Sequence, residues 1–353
     1  TDVFINFGEY YTNTAIEKHI SDIVDAFGLD SKQFRLDNII KMNEESVRGK
    51  CKKNDYKIEA LLDKAISNTT FSRKYAAYKA FNRLSSPPYE DYLRGAGIAI
   101  GVQYNGLKSL INAGAIYTVQ LELTKDMHII VKAEPSSEEL KSIFRRKIEK
   151  ELDIAPSNIV FENIKNIEGQ YIGPSIASCA NCLLPLLLDK CIAELQKQRF
   201  REPLPIVVTK DYKITGRSGW DGEKMEGQPF ASETAGACVV ELKFEKSTYN
   251  VKVQNIYIIV DGGEVFSREY IASNVGRAVS CALSGVLKEK MPTTYNRASD
   301  YTIISANEMP DIQIKVLESR SSQIKDVSTL AFNLVVPAFI SALNQILKSE
   351  RLS

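Results

Sequence analysis

Residues Met309–Ile346, MPDIQIKVLESRSSQIKDVSTLAFNLVVPAFISALNQI, decide how the rest of the chain is read. Ile312, Ile314 and Val316 alternate with polar residues, the period of a strand with one buried face. A turn-rich loop follows, and then a long apolar run that reads as a helix. A loop that feeds a buried helix start is a natural place for an anion, because unpaired N–H groups and the helix dipole point there.

Outward from that segment, the chain divides by period. The first 90 or so residues are mostly helical in pattern. Ile16, Ile20, Ile23, Val24 and Phe27 recur near a 3.6 spacing, and Gly28 supplies a left-handed cap. Shorter helices are expected from Asp30-Ser31 through Ile39, over Tyr56–Ser67 and over Thr70–Leu84, before Ser85-Ser86-Pro87-Pro88 breaks the pattern. Strands are then expected at Gly97–Val102, Ala115–Leu123 and His128–Ala133, with a turn at Lys125-Asp126. Glu138–Leu152 is an amphipathic helix, Ile159–Phe161 a strand, and Ser175 to Gln198 a helix that Pro185 should kink. After Glu202-Pro203-Leu204-Pro205 come strands at Ala237–Phe244 and Val251–Val260, a turn at Asp261-Gly262-Gly263, and a helix from Ile271 to Lys290. Strand–strand–helix thus occurs twice, near 113–152 and 236–290. The fold class expected is α+β, two related units with helices on one face of a sheet, preceded by a helical segment. The boundaries expected are 1–92, 93–204 and 205–353.

Composition narrows the function classes. A chain of 353 residues with net charge +1 offers neither nucleic acid nor an anionic membrane a basic surface. Apolar runs such as Leu183–Leu188 and Leu334–Leu343 fall short of a bilayer span, and no charged-then-apolar leader opens the chain, so a cytoplasmic location is expected. Six cysteines in this length are no disulfide framework. Cys179 and Cys182 form C-x-x-C, but with Cys191 they lack the second close pair of a structural zinc site, and in an apolar helix they read as small buried hydrophobes. The spacing of a plant-type iron–sulfur site is absent. His19 and His128 are the only histidines and have no nucleophile beside them, which leaves a hydrolase triad without support. The Gly216–Gly222 loop lacks the lysine of a phosphate loop; Lys213 and Arg217 could still meet a phosphate, and Trp220 could anchor an interface.

Several stretches resemble, in order along the chain, the large subunits of the molybdenum hydroxylases, the xanthine dehydrogenase and aldehyde oxidase family. Val3–Tyr11 stands where that family has F-R-G-F-G-x-P-Q. Leu29–Asn38 is similar to L-G-(D/P)-P-x-x-(L/V)-R-x-x-N, and Arg94–Ala99 to R-G-x-G-(I/L)-A. Ala113-Gly114-Ala115 matches A-G-A, and Gly227–Phe230 with Gly236-Ala237 and Val240-Glu241 resembles G-x-P-F…G-A…V-E-V. Met309–Val316 resembles MP-x-I-x-V, and Asp326–Ala331 stands at the family's G-V-G-E-P-P loop.

The resemblance implies the C-terminal half of a molybdopterin-binding large subunit, with the N-terminal half and the iron–sulfur and flavin modules absent. It implies molybdopterin, plain or as a dinucleotide, as cofactor; a chain that holds none is the alternative. The cofactor walls would be Phe7, Gly8, Ser136, Ser137, Ser175, Ser178, Ser328 and Thr329, with Ala177 beside them. The bland reading of Ser175 and Ser178, and of Ser328 and Thr329, is capping of the helix that follows. Glu134, Glu138 and Glu139 read as partners of a helix dipole rather than as replacement acids.

The departures fall on the chemistry. The family's general base, a glutamate, is Thr329 here, and a hydroxyl does not take a proton near neutral pH. Ile5 replaces the substrate-polarising arginine, Glu134–Glu138 the G-Q-G loop, and Arg277 a later glutamine. No residue is assigned a catalytic role. The expectation is a molybdopterin-binding subunit or fragment that is not catalytic alone, and the alternative is a structural or assembly subunit. Its partner would be another chain carrying the N-terminal half, with iron–sulfur and flavin subunits; otherwise uncovered apolar faces would drive self-association.

Overall fold

The computed structural model describes residues 8–41, 44–46, 49–50, 58–84, 91–107, 113–134, 137–162, 178–215, 220–221, 223–224, 226–227, 229–265, 267–288, 302–318 and 325–350. The elements run α1 (Glu9–Phe27), α2 (Ser31–Asp37), a two-stranded ribbon β1 (Glu45–Ser46) and β2 (Gly49–Lys50), α3 (Ile58–Thr69) and α4 (Phe71–Leu84). Then come β3 (Tyr92–Leu107), β4 (Ile116–Leu123), β5 (Ile129–Glu134), α5 (Glu138–Leu152), β6 (Ile159–Glu162), α6 (Cys179–Gln198) and β7 (Ile206–Lys213). The chain closes with β8 (Phe230–Glu245), β9 (Asn250–Asp261), α7 (Arg268–Leu287), β10 (Asp311–Leu317) and α8 (Leu330–Glu350).

Two four-stranded mixed sheets, ordered β6-β5-β4-β7 and β10-β9-β8-β3, make this an α+β fold of two related units, as the sequence pattern requires. In each unit an antiparallel hairpin leads to a helix, a 3-10 turn, a strand parallel to the second hairpin strand, and a long helix. The turns are Pro156–Asn158 and Ala306–Glu308. Both long helices, α6 and α8, contain a proline, Pro185 and Pro337.

The fourth strand of each sheet arrives by a different route. β3 pairs antiparallel with β8 from Tyr92↔Glu245 to Leu107↔Phe230, so the strand that opens the 93–204 segment completes the other unit's sheet. β7, which carries no clean alternation at its C-terminal end and was not expected as a strand, pairs with β4 from Ile116↔Lys213 to Leu123↔Ile206. The chain therefore crosses between the sheets after Leu107 and again after Lys213, because a four-stranded sheet buries more apolar surface than a lone hairpin.

Burial follows the pattern of each strand. Ile312, Ile314 and Val316 pack on the core formed by α7, α8 and the inner face of β8 and β9, as their alternation predicts. The residues of β3 divide by parity. Ala96 and Ile98 meet Leu61, Leu62 and Phe71 of α3 and α4, while Gly95, Gly97 and Gly101 lie under α8. A Cβ at Gly97 would overlap the backbone of Ala338 and Ala342, and one at Gly95 the Ala342 carbonyl. The R-G-x-G-(I/L)-A resemblance is thus a packing requirement: the helix rests on the strand's backbone.

α8 has a 20-residue stretch, Leu330–Ser349, long and apolar enough by length and composition to cross a bilayer, yet it is mostly buried in the protein. The arginine of the Leu29–Asn38 stretch is structural too. Arg35 Nη2 donates to Glu17 at 2.7 Å and to the Ile98 carbonyl at 3.3 Å, tying α1, α2 and β3 together. Burial pushes the Glu17 carboxyl up, against the pull of that guanidinium.

Candidate functional site

The starts of α6 and α8 converge where β3 and β8 leave the core, and one side chain joins them. Asp326 Oδ2 accepts from the Ser178 hydroxyl, from the Ser328 hydroxyl at 2.8 Å and from Gln103 Nε2 at 3.2 Å. Its Oδ1 accepts from the Ser328 N–H at 3.1 Å. Three of the four bonds fall on Oδ2 and one on Oδ1. The Asp326 carbonyl accepts from Thr234 Oγ1 at 2.8 Å and Asn105 Nδ2 at 3.3 Å. Gln103, Asn105 and Thr234 are buried, and they are joined to one another: Gln103 Nε2 to Asn105 Oδ1 at 2.8 Å, Asn105 Nδ2 to Thr234 Oγ1 at 2.8 Å. Polar groups taken from water at this depth persist because each is hydrogen-bonded.

The neighbouring Lys325 is 6% exposed and its Nζ lies 2.7 Å from Asp261 Oδ2. Asp261 Oδ1 accepts from the Gly263 N–H at 3.2 Å, so the Asp261-Gly262-Gly263 turn closes around a neutralised charge. Beside this pair lies a cavity of about 150 Å³ between α5 and α7. Its polar lining includes Arg146, Asn181, Asn274 and Lys325 together with the carboxylates Glu139, Glu264 and Asp326, and Ile143, Ile271 and Val327 are apolar. Burial raises the Tyr270 hydroxyl above the usual phenol range, and Asn274 opposes the shift.

The residues expected at the cofactor fall as follows. Gly8, at φ 76°, opens α1, which reaches α8 through Asn13: its Nδ2 donates to the Asn333 carbonyl at 2.6 Å. Ser137 caps α5, accepting from the Leu140 N–H at 3.1 Å. Ser178 is the N-cap residue of α6 at φ 54°, and its hydroxyl goes to Asp326 in place of a cap hydrogen bond. Ser328 also turns its hydroxyl to Asp326, and the Thr329 N–H donates to Gln103 Oε1 at 3.1 Å. Ser178, Ser328 and Thr329 are therefore brought together, while Ser137 belongs to a different helix start. Phe7, Ser136 and Ser175, with Ile5 and Ala177, lie outside the described residues. Cys179 and Cys182 are buried in the first turn of α6, and among the described residues no group of three or more His, Cys, Asp or Glu is placed to hold a metal.

Sequence reasoning missed Gln103, Asn105, Thr234, Lys325, Asp261 and Asp326. Two polar residues spaced by two on a strand that is otherwise apolar, Gln103 and Asn105, were the available signal of a buried polar face.

Residues 186–310 match the family model of the molybdopterin cofactor-binding domain. Among solved structures, an aldehyde oxidoreductase from Desulfovibrio gigas superposes with a TM-score of 0.76 at 16% identity, covering 97% of this chain and 39% of that one. A Cu,Mo-CO dehydrogenase gives 0.75 at 14% identity, with 97% and 50% covered. Quinoline 2-oxidoreductase from Pseudomonas putida 86 gives 0.71 at 13%, with 95% and 49% covered. No curated protein sequence is detectably similar. The chain spans at most half the length of these neighbours, and the resemblance to the molybdenum hydroxylases is borne out in fold and in domain.

The cofactor implied by that domain is a molybdopterin. Around Asp326 the described residues leave too little room for it. The cavity of about 150 Å³ is below the roughly 300–1,000 Å³ usual for ligands of cofactor size. The hydroxyls of Ser178 and Ser328 and the Ser328 N–H, all just ahead of α6 and α8, donate to Asp326 from within the chain.

Proposed function

We propose that this chain, which carries a molybdopterin cofactor-binding domain on the fold of the molybdenum hydroxylases, is a non-catalytic subunit of a hydroxylase-type oxidoreductase assembly. It contributes scaffold, and a partner polypeptide carries the cofactor. The observation that carries this reading is the Asp326 carboxylate, which takes up the Ser178 and Ser328 hydroxyls ahead of α6 and α8, near Thr329. The need for a partner is supported by an apolar stripe along α1. In that stripe Ile16 is 52% and Phe27 75% exposed, with Ile20 and Ile23 half-buried between them. Scattered apolar residues are ordinary on a surface, but a row on one helix face marks an interface.

The test is metal and pterin content. Purified from its own cells, the chain freed of partners should hold less than roughly a tenth of a molybdenum atom and no oxidisable pterin, while the intact assembly retains whatever cofactor the partner carries. One molybdenum and one pterin per isolated chain would overturn the reading. A second reading, a subunit that closes over a cofactor only when its partner is docked, is favoured by the polar cavity between α5 and α7. Under it, Asn181→Leu with Asn274→Leu would lower the molybdenum content of the assembly without releasing the chain from it.

A further inference from the structure

We propose that Lys147 is a latch between the two units, for which Asp189 of its own unit and Glu264 of the other compete. Lys147 lies on α5, and its side chain is 3% exposed. Its ammonium meets the Asp189 carboxylate of α6 closely and lies 3.4 Å from Glu264 Oε2. Glu264 follows β9, so the longer contact crosses from the unit built on β6-β5-β4-β7 to the unit built on β10-β9-β8-β3. Lys150 stands 3.8 Å from Glu264 Oε1 but is 64% exposed, where water screens it, so the buried Lys147 dominates the crossing. Apolar residues of similar volume would often hold two helices as well. An ion group kept at this depth therefore points to a role in choosing between arrangements. Two carboxylates share one ammonium here, and the closer hold of Asp189 leaves Glu264 the weaker one. Burial pushes the Asp189 carboxyl up, Lys147 pulls it down, and Glu264 and Glu151 push it up again.

The latch bears on a seam that is not fully packed. The cavity of about 150 Å³ lies in it, with α5 and Asn181 of α6 on one side and Gly262, Glu264 and α7 on the other. Two polar contacts cross the seam from residues that line this cavity: Asp326 accepts from Ser178, and Glu264 from Lys147. Cys182, in the first turn of α6, is 5% exposed and closes against the other unit. Ser232 Oγ of β8 lies 3.9 Å from its sulfur, and a Cβ at Gly106 of β3 would touch its own. Its thiol therefore reports opening of the seam. Cys191 and Cys238 lie in the separate cores of the two units, and their thiols report unfolding of each.

The test is thiol labelling of the full chain under native conditions, with the labelled peptides mapped by mass spectrometry. Glu264→Gln weakens the crossing contact and should speed labelling of Cys182 by about fivefold. Asp189→Asn hands Lys147 to Glu264 and should slow it by about threefold. Labelling of Cys191 and Cys238 should stay as in the wild type in both variants. In the Glu264→Gln background Asp189→Asn should add nothing, because no second charge is left to compete. Three charged groups that merely stabilise the fold predict that either change loosens the seam, so faster labelling of Cys182 in Asp189→Asn would overturn the proposal. Equal acceleration of all three thiols, or no change at Cys182 in either variant, would overturn it as well. If Glu264→Gln does not fold, the sign of the change in Asp189→Asn decides alone. None of these outcomes depends on whether the chain holds molybdenum.

Discussion

The unit built on β6-β5-β4-β7 and the unit built on β10-β9-β8-β3 repeat the same order of elements, yet among the described residues only the second is covered on both faces of its sheet. There α7 and α8 pack on one side, and α3 and α4 on the other, with Leu61, Leu62 and Phe71 against Ala96, Ile98, Val239 and Tyr257. In the first unit α5 and α6 cover one face. The opposite face shows Val160 and Val207 to solvent at 46% and 49%, with Lys132 between Glu122 and Glu162. The edge strands differ as well. β7 presents Ile206 and Val208 to α6, so side chains separate strand from helix, whereas β3 presents Gly95, Gly97 and Gly101 to α8 and the backbones touch. One repeat is an ordinary sheet-and-helix layer. The other is a locked block, and its lock fixes the start of α8 where the Asp326 network sits.

The largest effect should come from breaking that lock. Gly97→Val places a side chain into the backbone of Ala338 and Ala342, which no rotamer avoids, and should cost more than about 5 kcal/mol. The readout is loss of soluble folded chain, and a folded variant of near wild-type Tm would show that α8 can lift off β3. Next comes the charge buried beside the network. Lys325→Met strands Asp261, which is fully buried, and should cost about 3–5 kcal/mol in urea unfolding, with a second change, Asp261→Asn, recovering part of it. The two-faced against one-faced difference is probed by truncation. Ile98→Ala, under α3, should cost about 2–4 kcal/mol, and Val207→Ala on the open face less than about 0.5. Equal costs would mean that the open face is covered in the assembly or by self-association.

The smallest effect separates the two 3-10 turns. Ala306–Glu308 carries a capping box, and Pro156–Asn158 has no side-chain cap. The salt bridge to Lys288 and hydrogen bonds from Ser305 bring the Glu308 carboxyl down to about 2. A carboxyl lowered in the folded state contributes stability above its ordinary value near 4.5, and that contribution is lost as pH falls toward about 2. Glu308→Gln should therefore flatten a small part of the Tm loss between pH 4.5 and 2. An unchanged acid slope would show that the box contributes nothing in solution.

Legibility followed locality. The helix over Glu138–Leu152 was read to the residue, and the strand at Ile312–Val316 with its buried face, because each is specified by its own period. The repeat of strand, strand and helix was legible for the same reason. The assignment of β3 to the distant β8 was not, since a strand's pattern states which face is buried and says nothing of its neighbour. At the candidate site, Ser178, Ser328 and Thr329 were singled out from the sequence, and the structure brings them together. Asp326 was passed over as one more loop residue.

The sequence by itself determined the element types and the buried faces, and with them the α+β class of the fold. Only the tertiary structure decided that β3 and β7 change sheets, that the glycines of β3 are there to seat α8, and that a single aspartate joins two helix starts. Periodicity and turn chemistry act over a few residues and so can be read along the chain. Asp326 and Ser178 are 148 residues apart, and their meeting depends on how two sheets pack, which no local pattern encodes.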